Sequence, residues 1–333
     1  MTYFDPSPDR ARACRLAMDE SLVRSISQVV GAGDTASTAI PDERRVVAML
    51  DYGAYFDLTL DLPGDAQISE DAKQAARERL RGRFPAGAAF VQASDDRPGI
   101  SNLCERTYTP AELECLERWW DMEREAPIVL RPASDEMVET TGAAIEIALD
   151  HLAAAAPELY GEFLAIVNEI VLAQPEGSSY GGVTSMGLWG GFTLNAENFR
   201  TWQTCYGKLV HEMGHNLLFG YAREEPLVLD DPEKRSYSAV RGEMRPYDGI
   251  FHAAFVMARE AYAFDRLLVR NDREGSLNAD DTELFDTMLA VAVNSFWGCA
   301  ETLREEATIG KLGDEILTEC EEYMRENFAF ADA

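Results

Sequence analysis

At 333 residues the chain can bury one large core or two modest ones, and 46% hydrophobic with 10% aromatic residues is ordinary for a folded protein. A formal net charge of −29 argues against a nucleic-acid partner, because phosphates are repelled, and is compatible with a basic peptide partner. Residues Met1 to Pro6 lack a basic stretch followed by an apolar run, no uncharged run reaches the roughly 18 residues of a membrane span, and the cysteines show no C-x-x-C spacing, so a cytoplasmic protein with reduced thiols and no membrane partner is expected.

In chain order, residues 8–31 predict an amphipathic helix with Ala13, Leu16, Leu22, Val23 and Ile26 on its apolar side, closed by Gly31-Ala32-Gly33-Asp34. The alternation Tyr55-Phe56-Asp57-Leu58-Thr59-Leu60 suggests a strand ended by Pro63-Gly64. Glu70 to Arg83 suggests a charged, solvated helix, and Ala88-Ala89-Phe90-Val91 a short strand. Thr109-Pro110-Ala111-Glu112 starts a helix with an N-cap and a proline at its first position, and Trp119-Trp120 near its end fit core packing.

Ala133 to Ala156 and Pro157 to Ala173 suggest two consecutive helices, since a proline disfavours helical geometry in the residue before it. His151 on the first of them lies outside any ligand spacing and reads as structural. Gly190 to Asn195 reads as a short strand leading into the next helix, and by analogy with hydrolases an edge strand there can hold a substrate backbone. Helices are expected over Ile250 to Arg270, Thr282 to Glu306 and Asp314 to Asn327. The fold class expected is α+β, predominantly helical, with a small sheet beside the His211 helix. A boundary near residue 125, at Glu123-Arg124-Glu125-Ala126-Pro127, would separate an N-terminal region (1–125) from a metal-binding region (126–333).

The segment that carries chemistry is His211-Glu212-Met213-Gly214-His215, an H-E-x-x-H motif. At about 100° per residue, side chains four apart on a helix project side by side, so His211 and His215 can share one divalent metal with Glu212 beside it. Val210, Met213, Leu217 and Leu218 supply an apolar stripe, and Asn198 or Thr201 can cap the helix. Gly214 costs roughly 1 kcal/mol against alanine in a helix, which suggests that something packs close to the backbone there. Cys205 upstream reads as a core thiol. The motif alone names neither the metal nor the reaction.

A metal needs a third protein ligand. The extension H-E-x-x-H-x-x-G-x-x-H is absent, because Leu218 and Tyr221 occupy the Gly and His positions. His252 and Glu260, both on the following helix, are the candidates, with His252 preferred. Their offset of roughly 80° around a helix argues against both facing one ion.

The arrangement His211-Glu212-x-x-His215, then Ser238-x-x-Arg241, then Arg245-Pro246-x-x-Gly249-x-x-His252-x-x-Phe255, resembles the HExxH-motif peptide-modification proteins that act on ribosomally made peptides. The resemblance covers about residues 180–270. It implies an iron(II)- and 2-oxoglutarate-dependent oxygenase that hydroxylates a side chain, typically at the β-carbon, of a precursor peptide. On that reading His211, His215 and His252 hold the iron, Arg245 first and Arg241 second grip the distal carboxylate of 2-oxoglutarate, and Glu212 supports the site from beside it or serves as an extra ligand. Two other readings stand next to it. One is a zinc metallopeptidase with Glu212 as general base, and the other a non-catalytic peptide-binding protein with a vestigial site.

Overall fold

A computed structural model describes residues 2–29, 45–60, 67–83, 90–92, 97–121, 129–176, 180–238, 240 and 242–328. The chain is α+β and predominantly helical, with a small mixed sheet. Among the described residues, no helix is long and apolar enough to cross a membrane. The chain divides into two compact units interleaved along the sequence, one formed by 9–145 and 163–201 and the other by 1–8, 146–162 and 202–333. The boundary expected near residue 125 lies outside the described residues.

The unit formed by 9–145 and 163–201 contains most of α1 (Pro8–Val29), then β1 (Arg45–Val47), α2 (Met49–Thr59), α3 (Glu70–Arg83), β2 (Phe90–Gln92), β3 (Gly99–Asn102), α4 (Pro110–Asp121) and β4 (Leu130–Pro132). It also holds β5 (Glu169–Pro175), β6 (Gly182–Val183) and β7 (Gly191–Asn195). In its sheet, β5 lies between parallel neighbours β3 and β7, β4 pairs antiparallel with the end of β5 at Ala173 to Pro175, and β6 pairs antiparallel with the other side of β7. Trp119 and Trp120 are buried in the apolar core with Met49, Leu116, Val171 and Leu188. Thr109 and Glu112 cap α4 reciprocally: the Thr109 amide donates to Glu112 Oε2 at 2.8 Å, and the Glu112 amide to Thr109 Oγ1 at 3.3 Å.

Several expectations are corrected here. Helix α1 turns Leu16 and Ala13 to solvent and buries Arg15 and Asp19 instead. Arg15 bonds Asp19 and the carbonyls of Val47 and Ile166, while Asp19 accepts from the Tyr52 hydroxyl at 2.6 Å. These hydrogen bonds offset the cost of burying both charges. Residues 55–59, expected as strand, belong to α2; Asp57 is buried there because Arg118 and the Trp119 indole bond its carboxylate. Helix α3 spans the expected Glu70–Arg83 but buries Leu80, Ala76 and Ala72 along one stripe.

The helix expected to run from Pro157 to Ala173 stops at Ile166, and Ile170 to Ala173 become the buried middle of β5. A short apolar run carries no periodicity that separates a buried strand from a buried helix. Strand β7 forms where expected but is interior, with all five residues buried and β5 and β6 on either side, so a substrate backbone cannot add there as it would to an edge.

The second unit is built from α7 (Trp202–Tyr221), α8 (Tyr247–Glu274), α9 (Ala279–Glu306) and α10 (Lys311–Asn327), with a hairpin of β8 (Arg235–Ser238) and β9 (Glu243–Pro246). Residues 146–155 of α5 (Asp135–Ala155) and 157–162 of α6 (Pro157–Ile166) complete it with the N-terminal segment. Tyr206, Phe264 and Phe285 form an aromatic cluster between α7, α8 and α9. His151 stacks on Trp202 with ring centroids 3.9 Å apart, in keeping with a structural role. Arg259 is wholly buried against the Glu162 carboxylate and donates to the Phe4 carbonyl, which ties α8 to α6 and the N-terminal segment.

Candidate metal centre

Helix α7 presents His211 and His215 one turn apart, toward α8. Gly214 allows the close approach: a Cβ there would lie 3.1 Å from Val256 Cγ1, so the two helices meet at van der Waals distance just where the histidines project. Val256 lies on α8 midway between His252 and Glu260.

Four side chains then form a continuous polar chain. The Glu260 Oε1 and His211 Nδ1 atoms are 2.7 Å apart, His211 Nε2 and His215 Nε2 3.2 Å, and His215 Nδ1 and His252 Nδ1 3.0 Å. Because α7 and α8 run antiparallel, Glu260 meets the first histidine and His252 the second. Glu260 and His252 thus each address a different ring. Phe219 packs on the His252 ring with centroids 4.8 Å apart, and Asp248 approaches His252 Nε2 at 4.0 Å.

Two nitrogens bound to one first-row ion at about 2.0–2.1 Å stand roughly 3–3.4 Å apart. The 3.2 Å between the His211 and His215 Nε2 atoms matches that separation. The carboxylate behind His211 completes a carboxylate–histidine arrangement that would fix the Nδ1–H tautomer and leave Nε2 free to ligate. His252 fits less directly. It meets His215 through Nδ1, on the opposite side of the ring from Nε2, and one ion cannot take both nitrogens. Among the described residues, no group of three or more His, Cys, Asp or Glu side chains encloses a common metal position. The spacing of the histidine pair is that of two donors to one divalent ion, while His252 lies near but is not aligned with it.

Electrostatics follow burial. Burial pushes the Glu260 carboxyl up to about 8, with the Lys208 ammonium pulling it back, and burial holds His252 below its usual range against the opposing charge of Asp248. Glu212, the central acid of the motif, is 1% exposed and pairs with Lys208, Nζ to Oε1 at 2.5 Å. Lys208 was not singled out from the sequence, although its position four residues before Glu212 is the signal that would have found it.

Of the expected 2-oxoglutarate ligands, Arg241 lies outside the described residues. Arg245 sits on β9 with its guanidinium 3.3 Å from Glu243, and its Nε would lie 3.8 Å from a Cβ on Gly249. Gly249 is the third residue of α8, so Arg245 packs over the start of that helix. Cys205 is buried as a core thiol, and burial pushes it up to about 12.

No protein-family model and no curated protein matches the chain.

Proposed function

We propose that the protein is a metal-dependent peptide-modifying enzyme whose reaction is iron(II)- and 2-oxoglutarate-dependent hydroxylation of a side chain in a ribosomally made precursor peptide. The observation that carries the metal is the 3.2 Å approach of the two Nε2 atoms, with Glu260 behind His211. His252 is the third donor in this reading, brought in by reorientation of its ring when the ion is bound. Iron(II) would supply the redox chemistry by which one dioxygen oxidises both the keto acid, to succinate and carbon dioxide, and a substrate C–H bond, to C–OH.

Two further observations favour oxidation over hydrolysis. A peptidase needs the motif glutamate free to take a proton from water, whereas Glu212 is buried and engaged by Lys208. A 2-oxoglutarate oxygenase needs a guanidinium for the distal carboxylate, and Arg245 stands over the first turn of the helix that bears His252. A peptide substrate is supported by the β8–β9 hairpin. Its two strands pair only with each other among the described residues, and its cross-strand residues Tyr237 and Met244 are exposed. An extended peptide can add to such an edge and pass the start of α8.

The test is direct. Protein supplied with iron(II), ascorbate, 2-oxoglutarate and a candidate precursor peptide is expected to add one oxygen atom to the peptide and release succinate. Cleavage of the peptide by the zinc-loaded protein, without need of 2-oxoglutarate, would establish the metallopeptidase instead.

A further inference from the structure

Spacing divides α9 into an inner and an outer face. Phe285, Ala292, Phe296, Cys299 and Leu303 recur at helical intervals and are buried, and Phe285 meets the Tyr206 and Phe264 rings. The outer face is not uniformly polar. Leu284 and Val291 are 42% and 58% exposed, and seven residues apart on a helix they project only about 20° from each other, in one row. An open depression beside this row is lined by Ala279, Thr282, Glu283, Asp286, Thr287 and Ala290. Charge is equally one-sided. From Gly275 to Leu303 the chain has no Lys, Arg or His, while Asp280, Glu283 and Asp286 are exposed near the start of α9. On α8 and α10, by contrast, Glu274 and Glu315 each meet a base one turn away, Arg270 and Lys311.

We propose that the outer face of α9 from Ala279 to Val291 is a docking surface for a basic amphipathic helix of a partner protein. The apolar side of that helix covers Leu284 and Val291, and its Lys or Arg side chains meet Asp280, Glu283 and Asp286. A second copy of the chain is the wrong occupant. It brings the same acids to this face and no base, and two copies of net charge −29 repel each other. Burial of the apolar row supplies affinity, while the acids select the sign of the partner and speed its approach. Binding therefore weakens with salt but does not vanish. The inference goes beyond the metal-site reading and does not depend on it.

The experiment is a fluorescence-anisotropy titration of the full chain against a labelled synthetic peptide of leucine and lysine placed at helical spacing. Saturable binding is expected at physiological salt. The double variant Leu284→Gln/Val291→Gln should bind about tenfold more weakly, and Val291→Gln alone serves should the pair fail to fold. Glu283→Lys/Asp286→Lys should also lose about tenfold or more. Glu322→Lys/Glu326→Lys makes the same change in net charge at exposed positions of α10 and should lose no more than about twofold. Lack of binding by the unsubstituted chain overturns the proposal. So does full affinity in the glutamine variant, or an equal loss from the α10 pair. Sedimentation showing a dimer that Leu284→Gln/Val291→Gln dissolves would give the face to a second copy and overturn it as well.

Discussion

His211 and Glu260 lie 49 residues apart in the chain, and their Nδ1 and Oε1 atoms meet at 2.7 Å across the α7–α8 contact. The carboxylate holds the ring so that the other nitrogen faces His215. Measured above about pH 8, where the buried carboxyl is ionised, Glu260→Gln keeps the shape but loses the charge, and is expected to weaken divalent metal binding by about ten- to a hundredfold. Isothermal titration with cobalt(II) or zinc(II) checks this, and an unchanged affinity would mean that the carboxylate does not orient the ligand.

Arg245 is expected to act on the keto acid and not on the metal. Arg245→Gln should raise the 2-oxoglutarate concentration for half-maximal succinate release by about tenfold or more, as loss of a bidentate charged contact requires. Iron(II) binding in the absence of 2-oxoglutarate should stay as in the unsubstituted protein. If metal binding falls as well, the side chain belongs to the frame of the site and not to the cosubstrate.

The α7–α8 contact at Gly214 leaves no room for a branched side chain, since even a Cβ would stand 3.1 Å from Val256. Gly214→Val is expected to cost about 1–3 kcal/mol through overpacking. It should also loosen metal binding, because α8 carries both His252 and Glu260. Thermal melting and metal titration on the same sample measure the two effects, and a fall in melting temperature with full metal affinity would show that the helices can part without disturbing the site.

His151 gives a pH dependence whose sign can be worked out. Burial against Trp202 holds its folded-state pKa below the ordinary 6.5. As pH falls through 6.5, the unfolded chain takes up a proton that the folded chain refuses, so stability is lost from there down to the folded-state value. His151→Phe keeps the stacking and removes the titration. Melting curves between about pH 5 and pH 8 should therefore show a shallower acid loss for the variant, and parallel curves would refute the assignment.

Helices α7 to α10 were legible in the sequence because they are long and carry an apolar stripe at helical spacing, and α4 because a capping box and a proline mark its start. The strands were harder. The apolar run that becomes β5 is continuous, since a strand buried on both faces has no alternation to read, while residues 55–59 alternate by composition yet fold into α2. The hairpin β8–β9 is four residues a side with polar and exposed members, which resembles a loop in sequence. In the site, the spacing of His211 and His215 predicted neighbours on one helical face. Which nitrogen of His215 meets which partner depends on ring rotation and on the direction of α8, and neither is written in residue spacing.

Cys205 shares α7 with both histidines of the motif, and its thiol is sealed in the core and held protonated by burial. An alkylating reagent can reach it only when that helix lifts from its packing, so the labelling rate of this one sulfur is a native clock for how often the site comes apart. Read with and without a dication, the clock would report metal binding as slowed labelling, with no spectroscopic probe added.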